Sequence, residues 1–254
     1  ALRGERFDGN DFAYQVANDN IAACVIADRK DLPYHEQLFI VDDSLTALQQ
    51  LAKMHRERCG IPVIAITGTN GKTTTKELIA AVLSKKYNII YTQGNFNNHL
   101  GLPLTLLQIR PETEIAVVEM GANHPGEIAQ LCSIAQPDFG IITNIGKAHI
   151  EGFGSFEGVV KTKNELYQYL KTKDESQKTK VFVNGDNDLL MQLSEGMDRV
   201  VYEAKDERLK AKDRSPFLEV EWNGKNIKTN LVGDYNYENV MAAITRGRHF
   251  KVED

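Results

Sequence analysis

The chain has 254 residues, 42% hydrophobic and 26% charged, with 30 Lys and Arg against 35 Asp and Glu for a formal net charge of −5. That apolar share excludes wholesale disorder and collagen-like repeats, and the acidic balance argues against a binder of nucleic-acid phosphate backbones. No apolar stretch approaches the roughly 18–20 residues of a membrane helix, and Cys24, Cys59 and Cys132 are too scattered for a zinc site or a disulfide frame, fitting buried thiols in a reducing cytosol.

The chain opens at Ala1 with neither an initiator Met nor a signal-peptide pattern, and it reads as an excised piece. Strand candidates at 22–27 and 38–41 come first. Leu45, Leu48, Leu51, Ala52 and His55 then recur at the three-and-four spacing of a one-sided helix, capped at its start by Asp43 or Ser44. Gly60 and Pro62 stop it. A domain boundary is expected there, dividing a small α/β unit (1–60) from a larger one (61–254).

From Val63 onward, apolar runs at 63–67, 89–92, 115–119, 139–143 and 181–184 alternate with helical patterns at 72–86, 126–135 and 156–170. Continuous apolar runs imply burial on both faces, so a mostly parallel sheet covered by helices is expected. The polar stretch 171–180 reads as a solvated loop. Two runs, 217–222 and 225–232, flank Asn223-Gly224 and predict a small antiparallel hairpin near the end.

The chemistry begins where Val63-Ile64-Ala65-Ile66-Thr67 runs into Gly68-Thr69-Asn70-Gly71-Lys72-Thr73-Thr74. Strand, glycine loop and helix start in that order turn backbone N–H groups and a helix dipole toward phosphate oxygens. Lys72 is placed to reach terminal phosphates and the Thr73 hydroxyl to ligate Mg²⁺. The general G-x-x-x-x-G-K-[ST] pattern has glycine where this chain has Ile66. A simple helix-capping turn is therefore the competing reading, and the flanking strand and amphipathic helix favour phosphate. Glu119 ends the apolar run Ile115-Ala116-Val117-Val118, at the strand edge where open α/β sheets bind ligands. A metal ligand is expected there, with a salt-bridged structural carboxylate as the alternative.

The loop Gly68-Thr69-Asn70-Gly71-Lys72-Thr73 resembles the shortened phosphate loop of the Mur ligases, the ATP-dependent amino-acid and peptide ligases of peptidoglycan synthesis. Three further stretches resemble the branch that adds D-alanyl-D-alanine to UDP-N-acetylmuramoyl-tripeptide. They are Glu119-Met120-Gly121-Ala122-Asn123-His124-Pro125-Gly126-Glu127-Ile128, Ala148-His149-Ile150-Glu151-Gly152-Phe153-Gly154-Ser155 and the opening Gly4-Glu5-Arg6-Phe7-Asp8-Gly9. The likeness runs from Leu2 to about Phe250. It implies a UDP-substrate domain shortened at its start, a complete central ATPase domain, and an absent amine-presenting domain. It also implies a soluble cytoplasmic enzyme acting as a monomer.

In the reaction so implied, a substrate carboxylate attacks the γ-phosphate of ATP to give an acyl phosphate, and an amine then displaces phosphate. By resemblance, Thr73 and Glu119 hold Mg²⁺ and His149 is a ligand of a second Mg²⁺. Lys163 matches a position that several family members carry as a carbamylated lysine, an anion fit to support that second metal. Lys72, Glu119, His149 and Lys163 are thus the expected catalytic set. The loop from Gly68 to Thr74, Asn236 and Asn239 are the expected ATP contacts, the last two at adenine. Asn97, Asn98, Arg3 and Phe7 are the expected UDP-substrate contacts.

Plain alternatives stay open for several of these. Lys163 also reads as an exposed helix lysine, Asn97 and Asn98 as turn formers, and Asn236 as a helix cap. Two other functions compete: a superfamily ligase of the folate-polyglutamate or cyanophycin type, and a nucleotide-binding module without ligase activity of its own.

Overall fold

The computed structural model describes residues 1–146, 150–173, 179–203, 209–213 and 216–253. The first unit is helix α1 (Asn10–Asn18) against two short parallel strands, β1 (Val25–Ala27) and β2 (Leu38–Ile40). Its core is small, built from Ala13, Ala17, Val25 and Ala27. The buried Asn10 amide ties it together, donating to Asp8 and Asp28 while its oxygen accepts the Asp28 N–H. Helix α2 (Ser44–Cys59) follows, with Asp43 as its cap accepting from Thr46 N at 2.6 Å and Gly60 closing it in the left-handed conformation at φ +61°.

The remainder alternates strand and helix: β3 (Val63–Thr67), α3 (Lys72–Leu83), β4 (Ile89–Tyr91), α4 (Gly101–Leu106), β5 (Ile115–Glu119), α5 (Glu127–Ala135) and β6 (Phe139–Ile142). Helices α6 (Ile150–Phe153) and α7 (Phe156–Thr172), strand β7 (Lys180–Asn184), α8 (Asp188–Leu193) and β8 (Arg199–Tyr202) complete the sheet region. The six strands lie in the order β4-β5-β3-β6-β7-β8 and every pairing is parallel. Strands β9 (Leu209–Asp213), β10 (Phe217–Trp222) and β11 (Lys225–Val232) form a separate antiparallel sheet, and α9 (Asn236–His249) ends the described fold. The hairpin expected at Asn223-Gly224 is present, with both residues at positive φ as a tight primed turn requires.

Every residue of β3 and β5 is buried. Along β3 the side chains alternate between two cores, Val63 and Ala65 in one, Ile64 and Ile66 in the other. The first core takes α4, α5 and α7 through Leu102, Leu131 and Leu166, and Ala52 of α2 joins it. The second takes α3, α9 and the small sheet through Ile79, Met241 and Val220. By packing, then, α2 leans on the larger unit across the expected boundary at residue 60. Arg56 completes that attachment, donating to the carbonyls of Ala135 and Gln136 at the end of α5 and to Asp138.

Helices α1, α4 and α8 and strands β8 and β9 were not expected from the sequence. Each spans nine residues or fewer, too short for a periodic pattern to stand out. Of the three cysteines, none is paired and Cys132 alone is buried, while Cys24 is exposed, so expected burial holds for one of them. Among the described residues no helix is long and apolar enough to cross a membrane.

Candidate functional site

The carboxyl ends of β3, β5 and β6 meet at one edge of the sheet, on either side of its central strand, where an open α/β sheet forms a crevice. The loop after β3 is stitched to the segment after β6. Thr69 N donates to Asn144 O at 3.0 Å, Asn70 N to Asn144 Oδ1 at 3.0 Å, and Thr143 Oγ1 to Asn70 O at 2.7 Å. Gly68 has φ +145°, and a Cβ on it would run into Thr143 Oγ1, so glycine is required on both counts. Gly71, at φ +76°, passes the chain into α3. The amides of Thr69 and Asn70 are therefore spent on the scaffold. Those of Lys72, Thr73 and Thr74, in the first turn of α3, have no intrahelical acceptor and carry the positive end of the helix dipole.

Lys72 turns its ammonium back onto the loop, donating to Gly68 O and Thr69 O at 3.0 Å each. Burial lowers its pKa from the ordinary lysine value, and the charge of Glu119 pulls the other way. Glu119 is 1% exposed. Its Oε1 accepts from Asn97 Nδ2 at 2.8 Å, its N–H donates to Thr92 Oγ1, and its Oε2 has no hydrogen-bond partner. Gly121 makes room for this arrangement, since a Cβ there would lie 2.9 Å from Asn97 Oδ1. Behind the carboxylate sits Lys76, fully buried, with its ammonium 3.9 Å from Glu119 Oε2 and 3.0 Å from Glu77 Oε1 but in hydrogen-bonding geometry with neither. Sequence reasoning missed Lys76. One lysine in an amphipathic helix gives no signal of burial, and only the adjacent end of β5 makes it a counter-charge.

A cavity of about 290 Å³ opens at this edge, lined by Gly68, Thr69, Lys72, Asn97, Asn98 and Lys163 among others. Lys163 is not the exposed helix lysine of the plain alternative. It is 4% exposed, with its Nζ 5.5 Å from the centre of the Phe153 ring. Burial, reinforced by the positive charge of Lys72, pushes its pKa down to about 8 against the pull of Glu127 and Glu165. Those two carboxylates build the adjoining corner. Glu165 accepts from Gly126 N and Ala129 N at the start of α5, and Glu127 accepts from Asn123 N and His124 N.

Other expected residues serve local structure as well. Asn98 lines the cavity and its Oδ1 also accepts from Leu100 N and Gly101 N, starting α4. Asn236 and Asn239 are buried behind the phosphate loop and do not line the cavity. Arg3 pairs with Asp28 and Phe7 lies exposed against Phe12, both within the first unit and outside the cavity lining. His149 lies outside the described residues. Thr73 is exposed at the helix start. Among the described residues no group of three or more His, Cys, Asp or Glu is placed to hold a metal.

Comparison with known proteins settles the family. The profile described as Mur ligase middle domain matches residues 66–247, most of the chain. The chain belongs to the Mur ligase family. The UDP-N-acetylmuramoyl-tripeptide–D-alanyl-D-alanine ligase of Bacillus subtilis (strain 168) is 40% identical over 258 aligned positions, which take in 99% of this chain and 55% of that protein. The ligase of the same name from Escherichia coli (strain K12) is 44% identical over 67% of this chain and 37% of its own length. Among solved structures, the MurF ligase from Thermotoga maritima in complex with ADP superposes with a TM-score of 0.81 at 31% identity, over 100% of this chain and 60% of that one. The chain thus spans about half the length of the relatives it matches. The Mur ligase match takes in the phosphate loop, Glu119, Lys163 and the start of α9, so the strand-end cluster lies wholly inside it. Residues before 66 fall outside the profile and inside the Bacillus subtilis alignment.

Proposed function

We propose that this chain forms the ATP-binding core and part of the UDP-substrate unit of a cytoplasmic ligase that adds D-alanyl-D-alanine to UDP-N-acetylmuramoyl-tripeptide. The observation that carries the reading is the convergence of a phosphate-type loop, Lys72 and Lys163 on one cavity, with the Glu119 carboxylate close enough for its charge to act on Lys72. The names of the relatives and the ADP bound to a structural neighbour support it.

The chemistry is an attack of one anion on another. A carboxylate oxygen bonds to the γ-phosphorus of ATP while the bond to the β-γ bridging oxygen breaks, giving ADP and an acyl phosphate. The amine of D-alanyl-D-alanine then bonds to the acyl carbon as phosphate departs and the nitrogen sheds a proton. Charge repulsion dominates the first step, so cationic and dipolar groups fixed in advance are the main catalytic resource. The amides from Lys72 to Thr74 cradle phosphate oxygens, and the Lys72 ammonium leaves the Gly68 and Thr69 carbonyls for a terminal phosphate. The Glu119 Oε2, buried and without a hydrogen-bond partner, together with the Thr73 hydroxyl, fits a hard cation that prefers oxygen, and these two would hold Mg²⁺. When bound, Mg²⁺ neutralises charge between the β- and γ-phosphates.

Lys163 fits the carbamylated lysine of the family. A pKa near 8 leaves free amine available to CO₂ at neutral pH, and its burial beside Lys72 favours an anion over a second ammonium. His149 would be its companion at a second Mg²⁺. Asn97 orients Glu119 and, with Asn98, faces the cavity where the UDP-substrate would enter; Arg3 and Phe7 would contact its distal end.

Calorimetry with a non-hydrolysable ATP analogue and Mg²⁺, with and without UDP-muramoyl-tripeptide, tests the reading. Saturable nucleotide binding that tightens with the tripeptide is expected. An absence of nucleotide binding would overturn it.

A further inference from the structure

Lys72 and Lys76 stand four residues apart on α3 and so share one face of the helix, and the charge of Glu119 acts on both. They differ in freedom. The Lys72 ammonium is held by two loop carbonyls at the cavity, Gly68 O and Thr69 O, and can leave them for a ligand. Lys76 is fully buried and cannot follow one. Its Nζ lies 3.9 Å from Glu119 Oε2, 3.0 Å from Glu77 Oε1 and 5.8 Å from the centre of the Tyr91 ring. The Glu77 side chain is half exposed, so water screens its claim on the ammonium, whereas Glu119 is buried and its pull on Lys76 is screened little. Neither Lys76 Nζ nor Glu119 Oε2 has a hydrogen-bond partner. The two therefore meet through charge alone, and the lone pairs of Oε2 stay uncommitted.

We propose that Lys76 is the resident counter-ion of Glu119, keeping a divalent cation off that carboxylate until phosphate oxygens help to hold the ion. The inference rests on the nucleotide-binding reading above. A buried carboxylate with no cation beside it would attract any divalent ion strongly, whether or not a nucleotide were present. A fixed ammonium behind Oε2 offsets that attraction and repels the incoming charge, while leaving the oxygen itself open. A nucleotide tips the balance. Its phosphates draw away the Lys72 ammonium, which relieves Glu119 of one of its two cations, and they supply oxygens of their own to the ion. Lys76 thus acts through Glu119 and touches neither phosphate nor substrate: it makes occupancy by the metal conditional on the nucleotide.

The test measures Mn²⁺ binding by electron paramagnetic resonance on the 254-residue chain, with and without a saturating non-hydrolysable ATP analogue, and follows the melting temperature of each protein. Wild-type chain is expected to take Mn²⁺ poorly alone and more tightly with the analogue. Lys76→Met is expected to bind Mn²⁺ alone about tenfold more tightly than wild type, the effect of one nearby unit charge on a divalent ion even at the dielectric constant of water. It should melt lower in metal-free buffer and regain part of that loss with Mn²⁺, because an ion that binds only the folded state stabilises it. Adding Glu119→Gln to Lys76→Met should abolish the gain. Should Lys76→Met not fold, Lys76→Gln carries the same comparison. Mn²⁺ affinity unchanged or lowered in the neutral variants would overturn the proposal and leave Lys76 a structural residue, as would a gain that survives Glu119→Gln. Wild-type chain that took Mn²⁺ equally well with and without bound analogue would also overturn it. Wild-type chain that bound no analogue would instead count against the nucleotide reading, and the comparison with Mn²⁺ alone would still decide the role of Lys76.

Discussion

The strand ends around the phosphate loop and the amino-terminal unit meet solvent in opposite ways. Around the loop, polar groups are buried and mutually constrained: Glu119 between Asn97 and Lys76, Thr75 against Asn239, Gly68 against Thr143. In the first unit the apolar core is four small side chains, while Phe7, Phe12, Tyr34 and Phe39 stand largely exposed. A two-stranded sheet with so little core has marginal stability of its own, and Arg56 on α2 fastens it to the larger unit. The same substitution should therefore cost much at the strand ends and little in the first unit.

The sharpest way to break that contrast is Lys76→Met. It leaves Glu119 buried without its nearest cation, and a loss of about 3–5 kcal/mol is expected in denaturant unfolding. A loss under about 1 kcal/mol would mean that water or rearrangement reaches the carboxylate. Gly68→Ala comes next. A positive φ and the clash with Thr143 together predict about 2–4 kcal/mol, read as a lowered melting temperature. Gly4→Ala is its counterpart in the first unit. A Cβ there finds its nearest neighbour at an ordinary 3.6 Å, so a change within about 0.5 kcal/mol is expected.

A pH experiment sharpens the comparison from the side of charge. Near pH 8 Lys163 is half neutral, whereas an exposed lysine titrates at about 10.4. Amine-directed labelling followed by peptide mass spectrometry should modify Lys163 ahead of the exposed lysines as pH rises from about 7 to 9. Lys72→Ala removes a like charge and should move that midpoint upward. The linkage has a definite sign. The unfolded chain keeps its proton up to about 10.4, so this residue opposes folding most below pH 8 and its penalty fades as pH rises toward 10.4. Labelling of Lys163 only at the pH where the exposed lysines react would contradict its lowered pKa.

How much of this could be read before the structure depended on whether the signal was local. The run from Val63 to Lys72 announced strand, loop and helix because continuous apolar residues and glycines report their own backbone needs. The Asn223-Gly224 turn was legible for the same reason. Lys76 carried no mark, since its meaning comes from a strand more than thirty residues away. Asn239 was visible as a residue but not in direction: amide side chains serve bases, caps and scaffolds alike, and only packing of α9 on α3 turns this one toward Thr75. The amides of Thr69 and Asn70 looked free to meet phosphate until Asn144 claimed them, a contact made across two parallel strands.

The most direct measurement is the affinity of Mg²⁺ and an ATP analogue for the wild-type chain and for Lys72→Ala. Saturable binding by the wild type, weakened about 100-fold in the variant by loss of a charged phosphate contact, is the predicted result. Equal affinity in the two proteins would contradict it, because the strand-end cavity would then not be where the phosphates lie.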